Sequence, residues 1–297
     1  MDFEQVPNRL SIPKQLDVKN NKKKFDKIWL LMLPAFLFLL IFLVYPLLKI
    51  FIYSLFDPSF TFEHYKRFFN EPAYLNVLWS TLKTGLLVTV TCILLGYPVA
   101  YMLASVTDRV RNILFIFVLL PFWTSFLVRT YAWIVILQKE GILNKILLSI
   151  GIISEPLKMV HNTPGVIIGL THVLLPFMIL PLYSIMKSID MDLVKSAQSL
   201  GASPFKSFTR IFLPLSIPGI AAGSILVFII SIGYYVTPAL LGGEKDTMIS
   251  QLIAQQISGQ LNWGFGSAIA LILLLLILLL LYVFNRFFSL NKMTNGS

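Results

Sequence analysis

The sequence predicts an all-α integral membrane protein with six transmembrane helices. Composition and the length of the apolar runs carry that prediction. Of 297 residues, 57% are hydrophobic and only 13% charged, a balance outside that of soluble globular domains. A hydrocarbon core about 30 Å thick takes a helix of about 20 mostly apolar residues. Six stretches meet the requirement: 29–55, 80–105, 112–137, 164–186, 215–241 and 266–288. A β-barrel is excluded, because the near-continuous run Ile269–Val283 has no in–out alternation.

Each stretch has its own punctuation. The first is too long for the apolar core of a cleaved signal and no small-residue cleavage site follows it, so it is expected to stay in the mature protein. The second contains Cys92, the single cysteine, which leaves no disulfide and no cysteine metal site. The third contains Pro121 and Arg129, and the fourth Pro176 and Pro181; a proline inside a span breaks the hydrogen-bond ladder and predicts a kink. Gly165–Gly169 and Gly219–Gly223 are small-residue pairs one helical turn apart, a spacing that lets helix backbones approach closely. Pro238 with Gly242–Gly243 is expected to end the fifth span and free backbone carbonyls.

Between the fourth and fifth spans lies a polar, basic segment, Lys195–Pro214, KSAQSLGASPFKSFTRIFLP. Leu200, Phe205, Phe208, Ile211 and Phe212 recur at helical spacing around Gly201 and Pro204, which predicts two short amphipathic helices joined by a bend. Such an element kept at a membrane surface is an offer to a partner.

Lys and Arg are unevenly distributed. The N-terminal tail, the second and fourth loops and the C-terminal tail carry most of them, including Lys22, Lys23, Lys24, Arg109, Arg111, Lys206, Arg210 and Arg286. The positive-inside rule then places both termini and the Lys195–Pro214 segment in the cytoplasm. Much of the net charge of +10 is this bias, so nucleic acid is not an expected partner. The basic run 20–27 suits either a solvated tail or contact with anionic lipid headgroups. On this reading residues 1–27 are a cytoplasmic tail, 28–290 the membrane domain with its cytoplasmic loop at 188–214, and 291–297 a second tail.

Several chemistries are missing. There is no G-x-x-x-x-G-K-[ST] phosphate loop. His64, His161 and His172 stand without ligand-spaced neighbours, so no metal site is expected, and no nucleophile motif occurs. The six spans hold no Asp or Glu, which counts against a proton- or sodium-coupled carrier. If this protein moves a solute uphill, the energy comes from another chain.

Within the polar segment, Ala197, Gly201, Ile211, Leu213 and Pro214 fall at the spacing E-A-A-x3-G-x9-I-x-L-P. In this the chain resembles the membrane subunits of binding-protein-dependent ABC importers. Lys195 and Ser196 stand where that motif has Glu and its first Ala. GYPVAYMLA (96–104), LPFWTSFLVRTYAWIVIL (120–137) and YVTPALLGG (235–243) resemble the spermidine/putrescine branch, its first permease subunit in particular. Branches for opines, phosphonates and ferric iron share parts of the pattern.

The resemblance implies a type I importer permease fold. It implies no catalysis in this chain, with ATP and magnesium bound by two copies of a separate ATP-binding subunit. A second homologous permease and an extracytoplasmic solute-binding protein complete the expected assembly, in a bacterial inner membrane. It further implies that Lys195, Ser196, Ala197, Leu200, Gly201, Ala202, Ile211, Leu213 and Pro214 face or brace the ATPase contact. An ion-coupled carrier and a scaffold without transport activity are the alternatives.

For the solute path the sequence offers Tyr101, Trp123, Arg129, Tyr131, Trp133, Tyr234 and Tyr235. Aromatic faces attract ammonium groups by about 0.5–2 kcal/mol each, but packing explains aromatics in spans equally. Arg129, expected about 12 Å below the outer end of its helix, suits a structural or gating role better than contact with a cation. Asp57, Glu63, Glu71, Glu140, Glu155, Glu244 and Asp246 supply acids to the outer loops, either for docking a binding protein or as ordinary solvated charges.

Overall fold

In the computed structural model, which describes residues 32–287, the membrane-crossing segments are all helical and the described residues contain no strand beyond an isolated Phe56–Phe60 bridge. The chain separates into two compact units, residues 1–49 and 50–297. The expected tails at 1–27 and 291–297 lie outside the described residues. Five helices are long and apolar enough to cross a membrane: α1 Met32–Leu55, α3 Pro72–Ser105, α7 Thr163–Ser188, α9 Pro204–Gly233 and α12 Trp263–Phe287. The remaining span is a broken pair, α4 Asp108–Trp123 and the stretch Phe126–Ser149 that opens with α5 Phe126–Leu137, bent by 99°. A short amphipathic helix, α2 Glu63–Asn70, precedes α3, and α6 Ile142–Ser149 follows α5.

Four expectations change. The third span is not one helix: after Pro121, the Thr124 hydroxyl and N–H both turn back to the Pro121 carbonyl, and the chain is extended at Thr124 before α5 restarts. Thr and Ser side chains compete in this way with the helical ladder. The eight residues from Arg129 to Leu137 all lie in α5, beyond the break. The fifth span breaks at Tyr234–Tyr235, a turn before the expected site, and Pro238 lies inside the short helix α10 Val236–Leu241. The reason is local: a continued helix would need the residue 238 N–H to bond Tyr234 O, and proline has none.

The second span is longer than expected, α3 beginning at Pro72. The second amphipathic helix is not separate either, but the first turns of α9. A π turn at Phe208–Phe212, with the Leu213 N–H bonded to Phe208 O, carries the chain past Pro214 without ending the helix.

The core is the mutual packing of α3, α7 and α9. The Gly219–Gly223 pair meets α7 directly: a Cβ on Gly223 would lie 2.6 Å from Met178 Sδ and 3.2 Å from its carbonyl oxygen. Close backbone approach of this kind drives association where lipid removes the hydrophobic advantage of burial. A second cluster joins α2 to α12 and to α11 Ile249–Ala254 through Phe68, Phe265, Ile249, Leu252 and Ile269. Arg67 lies over the Phe265 ring, 4.6 Å from its centre, and donates to Tyr74 Oη at 3.0 Å.

Candidate functional site

The Lys195–Pro214 segment is built from a helix, a cap and a helix start. Asp190 caps α8 Met191–Ser199, accepting from the Asp192 N–H. At its other end the Gly201 N–H bonds Gln198 O and the Ala202 N–H bonds Ala197 O, both at 3.0 Å. That pair of bonds is the Schellman motif. It requires a left-handed residue, which Gly201 supplies at φ +90°, with open space where a Cβ would be. Ser203 then caps α9, accepting from the Lys206 N–H, with Pro204 in its first turn.

Two large apolar side chains are left uncovered beside this turn, Leu200 at 90% exposure and Phe205 at 75%. The base is held by rings: Phe208 meets Tyr97 and Tyr101 edge-on, and Phe212 meets Tyr101 at 5.1 Å. The structure thus places Tyr101 at the root of this segment, apart from the other expected path residues. Ile211 is half-buried and Pro214 exposed at the start of the span. Lys195 and Ser196 are exposed on α8, and Lys195 Nζ bonds Asp192 Oδ1 at 2.8 Å.

The second grouping forms where the two broken spans meet. Thr130 of α5 and Thr237 of α10 are buried with their hydroxyls 3.4 Å apart. Arg129 lies within electrostatic reach of His172 on α7 and of Tyr234 at the break. Trp133 stands edge-on to His172, ring centres 5.5 Å apart. Arg129 Nε and His172 Nδ1 are buried without hydrogen-bond partners, as are the hydroxyls of Thr171 and Ser231. The carbonyl freed at Tyr234 accepts from the Ser250 hydroxyl at 2.7 Å.

Arg129, Trp133 and Tyr234 are therefore brought together, whereas Trp123, Tyr131 and Tyr235 point outward, Trp123 at 89% exposure. Sequence reasoning missed His172, Thr130, Thr237 and Ser250; their only signal was polarity within apolar runs.

A polar recess of about 630 Å³ opens between the turns flanking α7 and α10, lined by Lys158, His161, Thr163, Gly243, Lys245 and Asp246 among others. Asp246, one of the acids read from the outer loops, is only 7% exposed and accepts from Thr163 Oγ1 and the Gly243 N–H. Its visible work is to join two loops.

Among the described residues the helices form an apolar bundle that carries an exposed, capped polar knuckle, the architecture of a multi-pass membrane protein. Residues 92–291 match the family described as the binding-protein-dependent transport system inner membrane component, and the chain belongs to that family. It is 40% identical over 235 residues to the spermidine/putrescine transport system permease protein PotB of Haemophilus influenzae, covering 79% of this chain and 81% of the relative. To PotB of Escherichia coli it is 39% identical over 212 residues, 71% of this chain and 77% of the relative.

The fold is that of solved ABC importer permeases. A chain of a bacterial ABC transporter for the acidic polysaccharide alginate superposes with a TM-score of 0.70 at 22% identity, covering 91% of this chain and 99% of that one. A chain of the methionine ABC transporter MetNI gives 0.55 at 16%, covering 72% and 94%.

Proposed function

We propose that this chain is the first permease subunit of an ATP-driven importer for spermidine or putrescine. The likeness to PotB over four fifths of both chains is the observation that carries the solute. In this reading two ATP-binding subunits, which hold ATP and magnesium, a second related permease and an extracytoplasmic binding protein complete the assembly. This chain itself carries out no chemistry. Both termini lie in the cytoplasm, following the bias of Lys and Arg.

The exposed knuckle is the contact with the ATP-binding subunit. Leu200 and Phe205 are its apolar prongs; Ala197, Gly201 and Ala202 shape it through the Schellman bonds. Ile211, Leu213 and Pro214 join it to the span, while Lys195 and Ser196 flank it. When the ATP-binding subunits close, the knuckle moves and the spans rock between two packings separated by a few kcal/mol. Arg129, Trp133 and Tyr234 border the path where the broken spans meet. Trp123, Tyr131 and Tyr235 would face it only from the other side, across the subunit boundary. Tyr101 serves the root of the knuckle instead.

The test is uptake of labelled spermidine by proteoliposomes holding the complete complex and its binding protein. Uptake should require ATP and survive collapse of proton and sodium gradients. Uptake that runs on a gradient without ATP would establish the ion-coupled carrier instead.

A further inference from the structure

Along α3, Trp79, Lys83, Leu86, Val90 and Leu94 are exposed at a three- and four-residue spacing, one continuous face of the helix. Lys83 is the single basic residue of α3, and its ammonium makes no hydrogen bond or ion pair among the described residues. The helix has 34 residues, about 51 Å of rise against a hydrocarbon core of about 30 Å. Measured from Ser105, next to the charged turn of Asp108, Arg109 and Arg111, that core ends near residue 85. Lys83 therefore emerges at the boundary towards Pro72, with Trp79 one turn farther out, where tryptophan rings sit among headgroups.

An apolar groove of about 350 Å³ lies between α3, α9 and α12, walled by Leu86 and Thr89, by Ile220, Ser224 and Phe228, and by Phe284. Phe228 marks its end near Lys83, since a Cβ on Gly85 would lie 3.2 Å from the Phe228 ring. From Phe228 back to Ile217 the α9 wall runs about 16 Å, the depth of one leaflet in a core about 30 Å thick. The hydroxyls of the wall are spent within their own helices, Thr89 on Gly85 O at 2.8 Å and Ser224 on Ile220 O at 2.6 Å.

We propose that Lys83 and this groove form a phospholipid site. One acyl chain lies in the groove, and the lipid phosphate accepts hydrogen bonds from the Lys83 ammonium beside Trp79. A lysine stem lies along an apolar face while its head stays at the interface, and the ammonium is a point charge suited to phosphate. The alignment of the two parts carries the assignment: an unpaired cation stands at headgroup level, and an apolar slot of one leaflet's depth opens directly beneath it. A free phosphate would use the lysine and leave the slot. A helix of another subunit would fill the slot but would owe Lys83 a carboxylate at the membrane boundary. A lipid held there ties α12 to the packed α3 and α9, whatever solute the protein carries.

The experiment reconstitutes the complete complex with phosphatidylglycerol that carries a diazirine partway along one chain, illuminates it and maps the label by mass spectrometry. Label should concentrate on Ile220, Ser224 and Phe284, above its level at Leu94, which is exposed on the same helix face outside the groove. Lys83→Gln should lower the groove label about 5-fold and leave Leu94 unchanged, while Lys83→Arg should keep it. Ala221→Phe, which narrows the groove, should lower the label with Lys83 intact. Groove label no higher than that of Leu94, or undiminished in Lys83→Gln, would overturn the proposal and leave only the ordinary lipid annulus. A groove that takes no label because the second permease or α1 covers it would overturn it equally.

Discussion

Lys195 Nζ sits 2.8 Å from Asp192 Oδ1, one turn earlier on α8. The hydrogen bond from Lys195, and then its charge, holds the Asp192 carboxyl below the usual aspartate range. The same bond holds the Lys195 ammonium above the usual lysine range. The lysine that replaces a motif glutamate therefore finds its acid within its own helix. Both side chains are in water, which screens the pair.

The signs give a titration test. The contribution of Asp192 is present above the carboxyl's unfolded value and is lost as pH falls through its lowered folded value. That of Lys195 is present below the ordinary lysine value and is lost as pH rises through its raised one. Lys195→Ala should move the Asp192 midpoint upward, read from side-chain ¹³C shifts of labelled aspartate. An unmoved midpoint would mean the pair does not form.

At the knuckle, Leu200→Ser and Phe205→Ser together should leave the protein folded, since neither side chain packs within it. Binding-protein-stimulated ATPase activity of the complex should fall at least about 10-fold, a transition-state loss of roughly 1.4 kcal/mol or more. Stimulation at the unmodified level would remove these residues from the contact.

Gly201→Ala has space but not conformation. Forcing an alanine into the left-handed region costs about 1–2 kcal/mol, and Gly201→Asn should cost less because Asn tolerates that region better. Coupling should rank Gly, then Asn, then Ala in ATPase assays, while thermal unfolding of the spans stays nearly constant. Equal coupling in all three would show that the turn is not needed in its present form.

The carbonyl left free by the break in the fifth span is served by Ser250. Ser250→Ala leaves the Tyr234 carbonyl without its hydroxyl donor, a loss of about 1–3 kcal/mol for a buried acceptor. A lowered unfolding temperature that Ser250→Thr partly restores is the expected result. A neutral alanine would mean that water serves the carbonyl.

Gly223→Val would drive methyl groups into Met178, and overpacking of this kind costs about 1–3 kcal/mol. Because Met178 is the obstructing side chain, Gly223→Val with Met178→Ala should be less destabilised than the sum of the single changes. Strict additivity, measured by thermal unfolding in detergent, would place the clash elsewhere.

Much of this architecture was legible in the order of residues because lipid imposes a simple rule of length and apolarity. That rule found the membrane crossings and the polar knuckle. It could not find the break at Thr124–Ser125, since the apolar run continues on both sides of it and the cause is the Thr124 hydroxyl competing for the Pro121 carbonyl. It misplaced the fifth break by a turn because Pro238 acts on the residue four before it. The Schellman turn was half visible, Gly201 marking a bend without revealing which bonds it closes. His172 was invisible as a neighbour of Arg129, because residues on different helices have no register in a sequence.

The helix that begins at Pro204 does not stop until Gly233. Thirty residues at 1.5 Å each make a rod about 45 Å long. One end carries Phe205 and the other abuts Tyr234, beside Arg129 and the Ser250 latch. Tilting such a rod by about 10° about its middle swings each end by roughly 4 Å, in opposite directions. A push on the knuckle end would thus become a counter-stroke at the far break without any relay of small rearrangements, softened where the π turn at Phe208–Phe212 and Pro218 interrupt the regular ladder. On the importer reading proposed above, stiffening or softening these interruptions would set how much of the push reaches the far end.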